Sequence, residues 1–298
     1  MVENTITPIP AFGVSGLVQV TDQQLAEFAQ LIYARTGIRV SPQKKTLLSN
    51  RLRRRLRETG IETFEDYYRH LKRLRADDPE WDAFLQEITT HETYLFRDQS
   101  HWDWFRGTYL PALASSLGEG GRRSLRIWSA ACSTGDEVYT IACCIAACLP
   151  NFQSWQIRIL GTDIGLGALE QAKAAVFGQR AMRLVPDDYQ TRFFAKAKDA
   201  NIWQAKPMLT AMATFRQHNL LEPLREPPFD LVFLKNVLIY FDSQSKLRVL
   251  DHVRSALRPG GYLVAGAAEG VSELLRDFTR VAPWLFRKPE AEPRRPAP

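Results

Sequence analysis

Between residues 20 and 90 the apolar positions recur every three or four residues, the spacing of one face of an α-helix. Leu25, Phe28 and Ile32 form the first run. It starts at Thr21, which makes a capping box with Gln24, and stops at Gly37. Ser41 and Pro42 supply an N-cap and a first-turn proline for a second helix, where Leu48, Leu52 and Leu56 repeat until Gly60. Thr63 caps a third run with Phe64, Tyr67, Tyr68, Leu71 and Leu74, and Trp81, Phe84, Leu85 and Ile88 follow Pro79 in a fourth. Four short amphipathic helices predict a small all-α domain over 20–90.

From Leu125 onward the period changes. Short β-rich runs, LRIW (125–128), QIRILGTD (156–163), FDLVFLKN (229–236) and GYLVAGA (261–267), alternate with helical stretches. That alternation predicts an α/β domain over 91–287, built on a doubly wound parallel sheet. Between Phe177 and Asn219 the alternation weakens, and an inserted subdomain is expected at about 178–218. Residues 1–19 read as an N-terminal extension, and the proline-rich tail KPEAEPRRPAP (288–298) as disordered.

Composition narrows the classes. With 298 residues, 45% of them hydrophobic, the chain can build a real core. It has no apolar run of about 18 residues and no basic, apolar leader in MVENTITPIP, so a cytoplasmic protein without membrane insertion is expected. Cys132, Cys143, Cys144 and Cys148 lie close together, three of them in the apolar run IACCIAACL. No histidine stands near enough to complete a metal set, so they read as core.

The net charge of +6 is unevenly spread: from Arg35 to Arg57 there are nine Lys or Arg and no Asp or Glu. Such a field suits an anionic partner, although a merely solvated helix face would look the same.

In open α/β sheets ligands sit at the carboxyl ends of the strands. The first strand ends in SAACSTGDEVYTIA (129–142), where Gly135 allows close backbone approach and Glu137 opens a helix. The second ends at Asp163, placed to hydrogen-bond a ribose diol; alone, it reads equally as a helix N-cap. The fourth ends at Lys235 and Asn236 with Tyr240 beyond, and Pro259, Gly260 and Gly261 turn into a further strand. Glu137 alone could face a helix dipole, and Tyr240 alone could be core. Together they have the layout of class I S-adenosylmethionine methyltransferases (Rossmann-like); the G-x-G-x-x-G of a nicotinamide dehydrogenase is absent.

ITTHETYLFRD, RIWSAACSTGDEVYTIA, LGTDIGLGALEQAKAAVF, QHNLLEP and FDLVFLKNVLIYFDSQSKLRVLDHVRSALRPGGYLVAGAAEG closely resemble, in order, the motifs of the CheR family of chemotaxis receptor methyltransferases, over roughly residues 20–287. The resemblance implies methyl transfer from S-adenosylmethionine to glutamates of the cytoplasmic helical bundle of a methyl-accepting chemoreceptor, leaving S-adenosylhomocysteine. It implies cofactor contacts at His91, Thr93, Arg97, Gly135, Glu137, Asp163, Asn219, Leu220, Lys235 and Asn236. It also implies a methyl-transfer site at Arg97 and Tyr240.

Three positions depart from the family pattern: His91 stands for an asparagine, Lys235 for an arginine, and Gly266-Ala267-Ala268-Glu269 for GHSE. The basic second helix gains a receptor-docking reading, with Arg51, Arg53, Arg54 and Arg57 as contacts. The insert has no glycine over 195–218, where members that bind a receptor tether carry a glycine-rich loop, so a tether-independent enzyme is expected. A monomer is expected as well. Two other readings stand beside this one. A catalytically weakened cofactor-binding module that engages receptors would fit the GAAE and Lys235 departures. A nucleic-acid methyltransferase would fit the basic helix, but the segment after the fourth strand is KNVLIYF rather than an Asp/Asn-Pro-Pro-aromatic motif, so no nucleic-acid partner is expected.

Overall fold

The computed structural model describes residues 18–116, 123–198, 201–266 and 269–290. The tail from 291, most of the N-terminal extension, and Ala267 and Ala268 of the GAAE departure lie outside the described residues. Four helices come first, α1 (Asp22–Thr36), α2 (Lys45–Thr59), α3 (Phe64–Arg73) and α4 (Pro79–Ile88). The Thr21 hydroxyl accepts the Gln24 amide while the Gln24 side chain accepts the Thr21 amide, and Thr63 and Asp78 cap α3 and α4. The second helix starts differently from the expectation. Ser41 makes no side-chain cap, and Pro42–Lys44 forms a 3-10 turn leading into α2.

The helices bury Phe28, Ile32, Leu52, Tyr67, Leu71 and Phe84 in one cluster. Arg55 turns inward with them. Its guanidinium meets Glu80 at 2.6 Å, and the Tyr67 hydroxyl donates to the same carboxylate at 2.6 Å. One of the nine clustered bases therefore holds the helices together instead of facing a partner.

A helical stretch made of α5 (Gln99–Trp104), a π-helical turn at Phe105–Tyr109 and α6 (Leu110–Ser115) precedes the sheet. Then come β1 (Ser124–Ala130), α7 (Asp136–Cys148), β2 (Gln156–Asp163) and α8 (Leu166–Ala174). The insert holds β3 (Val176–Gly178), α9 (Gln179–Met182), α10 (Asp187–Phe193), β4 (Phe194–Lys196), β5 (Ile202–Ala205) and α11 (Pro207–Thr210). The chain closes with β6 (Ala213–Gln217), β7 (Phe229–Leu234), α12 (Ser243–Ala256), β8 (Leu257–Ala265), β9 (Thr279–Ala282) and β10 (Leu285–Arg287).

Seven strands form one mixed sheet in the order β6-β2-β1-β7-β8-β10-β9, parallel except at the β10 edge. Strand β6 pairs with β2 in register from Ile159 with Ala213 to Asp163 with Gln217. It belongs to the main sheet, so the insert ends before it and not at 218. The insert is a separate antiparallel sheet in the order β3-β5-β4.

Successive residues of β1 feed opposite faces: Ile127 joins the cluster under α7, and Trp128 joins the cluster under α12. Cys143 and Cys144 are fully buried in the first of these. Among the described residues no helix is long and apolar enough to cross a membrane. The sheet order reverses at β1, with β2 on one side and β7 on the other, which opens a crevice at the carboxyl ends of these strands.

The helical domain is stitched to that edge. The Asn219 side-chain amide donates to the Arg35 carbonyl at 2.7 Å, Arg39 N–H donates to the Tyr240 carbonyl at 2.8 Å, and Ile38 forms a β-bridge with Phe241. The Tyr33 hydroxyl donates to Asp242 at 2.8 Å.

Candidate functional site

The turn after β1 is wound tightly. Ala131, Ser133 and Gly135 all have left-handed backbones, with φ of 60°, 51° and 86°. Two bonds from the end of β2 hold it: Cys132 N–H donates to the Thr162 carbonyl, and Ser133 N–H to Asp163 Oδ2, both at 2.8 Å. The other Asp163 oxygen accepts Gly165 N–H at 2.9 Å, so Asp163 braces the turns after both strands.

Gly135 does not line the cavity. A Cβ there would stand 2.8 Å from that of Ala172 in α8, so the glycine serves both the left-handed backbone and the close contact of α7 with α8. Gly135→Ala is expected to lower stability by about 2 kcal/mol. A shifted urea midpoint with an unchanged slope checks this.

The acidic pair that follows divides its work. Asp136 is buried beneath the turn, where Thr134 donates to it at 2.6 Å and burial pushes its carboxyl pKa up. Glu137 faces the cavity. Ser129 donates to its Oε1 at 2.8 Å, and Lys235 Nζ lies 3.3 Å from its Oε2. Lys235 also meets Asp98 at 3.2 Å and lies 5.0 Å from the Trp102 ring centre, with its own side chain only 3% exposed. One buried cation thus binds two carboxylates at the end of β7.

The linker between the domains supplies another wall, with His91, Thr93 and Arg97. A ring nitrogen of His91 lies 2.7 Å from the Thr89 hydroxyl, and burial holds its pKa below the usual histidine range. Arg97 donates to the Glu92 carbonyl at 2.9 Å and lies 5.7 Å from the Tyr94 ring centre.

Asn219, Leu220, Asn236 and Tyr240 complete the lining. The Asn219 side chain is spent at both ends, on the Arg35 carbonyl and on Leu221 N–H at 3.0 Å. Asn236 takes a left-handed backbone with φ of 58°. The cavity encloses ≈ 980 Å³ of empty space, its open mouth included, a size suited to a small cofactor.

The donor set fits S-adenosylmethionine. Each Asp163 oxygen takes one backbone N–H and keeps acceptor capacity, which a ribose diol requires. Lys235 puts positive charge beside the carboxylate of Glu137, and Arg97 lines the same cavity, a mix of charges that suits a zwitterionic amino-acid end.

Glu269, at 0% exposure, is a residue the sequence reading missed. It accepts Val237 N–H at 3.1 Å, and burial pushes its pKa up against the pull of the Val237, Asn236 and Ile239 amides. It braces the loop that carries Asn236 and Tyr240. Its signal in the sequence is its place in the GAAE segment, an acid directly after the two departures at 267 and 268. Asp98, the second partner of Lys235, gave a weaker signal still, as the last residue of the linker motif.

The expected receptor contacts divide as well. Arg51 is tied to the Ile88 carbonyl and donates to the Thr90 hydroxyl at 3.1 Å, so it braces the linker. Arg54 pairs with Glu87 at 3.2 Å, and Arg53 donates to the Val18 carbonyl at 2.5 Å. Arg53, Arg54 and Arg57 line one open groove on the outer side of α2.

Two family descriptions match the chain: "CheR methyltransferase, all-alpha domain" over residues 23–89, and "CheR methyltransferase, SAM binding domain" over residues 91–284. Among curated proteins, a chemotaxis protein methyltransferase of Klebsiella aerogenes is 34% identical over 87% of this chain and 87% of its own length. One of Salmonella typhimurium is 32% identical over 91% of this chain and 94% of its own. One of Borreliella burgdorferi is 29% identical over 85% and 90%.

Proposed function

The chain belongs to the CheR methyltransferase family, S-adenosylmethionine-dependent enzymes of chemotaxis, and from that premise we propose that its methyl acceptor is a glutamate side chain on the cytoplasmic helical bundle of a chemoreceptor. The products are a glutamyl methyl ester and S-adenosylhomocysteine. The observation that carries this reading is the charge around Tyr240. The space between Tyr240 and α2 is lined by Arg39, Lys44 and Arg51 and, among the described residues, by no carboxylate. A glutamate, with a pKa of about 4.3, arrives there already ionised and needs no general base.

Bound in the cavity, S-adenosylmethionine supplies an electrophilic methyl on a sulfonium, whose transfer to a carboxylate oxygen cancels one positive and one negative charge and moves no proton. The residues of this chain have to orient and exclude water. Asp163 holds the ribose, while Glu137, Lys235 and Arg97 hold the charged amino-acid end. Tyr240 forms the wall beside the reacting carbon. Its backbone is fixed on one side by Arg39 N–H and on the other by the loop that Glu269 braces. The adjoining outer face of α2 meets the acidic receptor surface through Arg53, Arg54 and Arg57.

The test is transfer of radiolabelled methyl from S-adenosylmethionine to a purified receptor cytoplasmic fragment. Base-labile label, lost when the accepting glutamate is replaced by alanine, is the expected result. Base-stable label, or label only on nucleic acid, overturns the reading. Neutralising Arg53, Arg54 and Arg57 together is expected to raise the receptor KM about tenfold, since exposed charges act mainly on encounter and rim contacts. Calorimetry should find cofactor affinity unchanged in that variant.

A further inference from the structure

A second crevice continues from the cofactor cavity past Tyr240, sharing Ile38, Thr89 and Thr90 with it and running between the 3-10 turn at Pro42–Lys44 and the linker. Its ≈ 480 Å³ of empty space is lined by apolar residues, Val40, Leu47 and Leu48 among them, and by cations. The charges are not equivalent. Arg51 is committed to the Ile88 carbonyl and the Thr90 hydroxyl, and Lys45 next along the chain is paired with Asp22 at 2.7 Å. The Lys44 ammonium and the Arg39 guanidinium have no ion pair or hydrogen bond among the described residues, and of the two it is Lys44 whose Nζ lies over the Tyr240 ring, 5.0 Å from its centre.

Resting on the acceptor assigned above, we propose that this crevice admits the glutamate side chain and that Lys44 is the residue that selects its carboxylate. The methylenes of the glutamate lie against the apolar lining, and the ammonium draws the anionic end towards Tyr240. An ion pair with Lys44 stabilises the free carboxylate more than a transition state in which that charge is vanishing. Lys44 therefore serves capture more than the chemical step. Its loss should act on KM more than on kcat.

The experiment uses the full chain as wild type, Lys44→Gln and Lys44→Arg, with a receptor cytoplasmic fragment carrying either Glu or Gln at the accepting position. Initial methylation rates and fluorescence anisotropy of fragment binding are both read. Wild type is expected to bind the Glu fragment about tenfold tighter than the Gln fragment, the size of one charge-assisted contact. Lys44→Gln should abolish that preference and raise KM by a similar factor, Lys44→Arg should restore most of both, and cofactor affinity should stay unchanged. If wild type labels the glutamate and Lys44→Gln keeps the KM and the Glu preference, the role of Lys44 is overturned alone. Equal losses in both variants overturn it too, since they indicate packing against Tyr240 and not charge. If wild type labels no glutamate, the acceptor assignment falls and Lys44 falls with it.

Discussion

Replacing Lys235 by methionine should lower the unfolding free energy by about 3 kcal/mol, because the change leaves two partly buried carboxylates without their buried cation. Methionine matches the length and volume of the lysine stem, so the loss is one of charge and not of packing. Glu137 is 15% exposed and keeps only the Ser129 hydroxyl, whereas Asp98, at 35%, reaches water and recovers part of its solvation. That recovery places the loss at the low end of what breaking a buried pair costs. The melting temperature should fall by about 6 °C.

Thermal melts of wild type, Lys235→Met and Lys235→Arg at neutral pH check the size. A deficit as large in Lys235→Arg as in Lys235→Met rejects the electrostatic account. Lys235→Arg should be far milder, since the charge is kept and only the planar fork is new.

Asp163→Ala is expected to weaken S-adenosylmethionine binding about 100-fold, close to 3 kcal/mol, by removing charge-assisted bonds to a ribose diol. A second loss is local. The amides of Ser133 and Gly165 are left without their acceptor, and the left-handed residues Ala131 and Ser133 lose the brace that holds the turn in its binding shape. Calorimetric titration measures the affinity directly. A change of less than about threefold would mean that the ribose is read elsewhere. Asp163→Asn separates the two losses, because its one carbonyl oxygen can brace only one of the two turns.

The elements with local rules were legible in the chain. The Thr21 and Gln24 capping box, the Leu48 and Leu52 stripe, and the apolar runs of β1, β2 and β7 each carry their cause within a few residues. The carboxyl-end rule then placed Glu137, Asp163, Lys235, Asn236 and Tyr240 around one cavity.

What stayed hidden depends on distant partners. Strand β6, an edge strand with no fully buried residue, has no apolar run to announce it; only its ladder with β2 makes it a strand of the main sheet. Arg51 and Arg55 look like their neighbours by composition, yet one turns to the linker and the other to Glu80, because helical phase and not charge decides which way each points. A glycine in a turn, such as Gly135, gives no sign in the sequence of whether its missing Cβ makes room for a ligand or for Ala172.

Part of the seam between the two domains is written in backbone. Tyr240 accepts the Arg39 amide, Phe241 bridges to Ile38, and Asn219 reads the Arg35 carbonyl, so these bonds hold whichever side chains stand at 35 and 39. The rest is specific to side chains: Ile38 packs into the cores on both sides, Gln217 donates to Asp82 at 2.6 Å, Gln86 accepts the Ala168 amide at 3.2 Å and Tyr33 donates to Asp242. A helical half from another member of the family can be grafted at this junction where it brings equivalents of Tyr33, Ile38, Asp82 and Gln86. The outer surfaces of the two halves can therefore change independently, while the residues that meet across the seam have to change together.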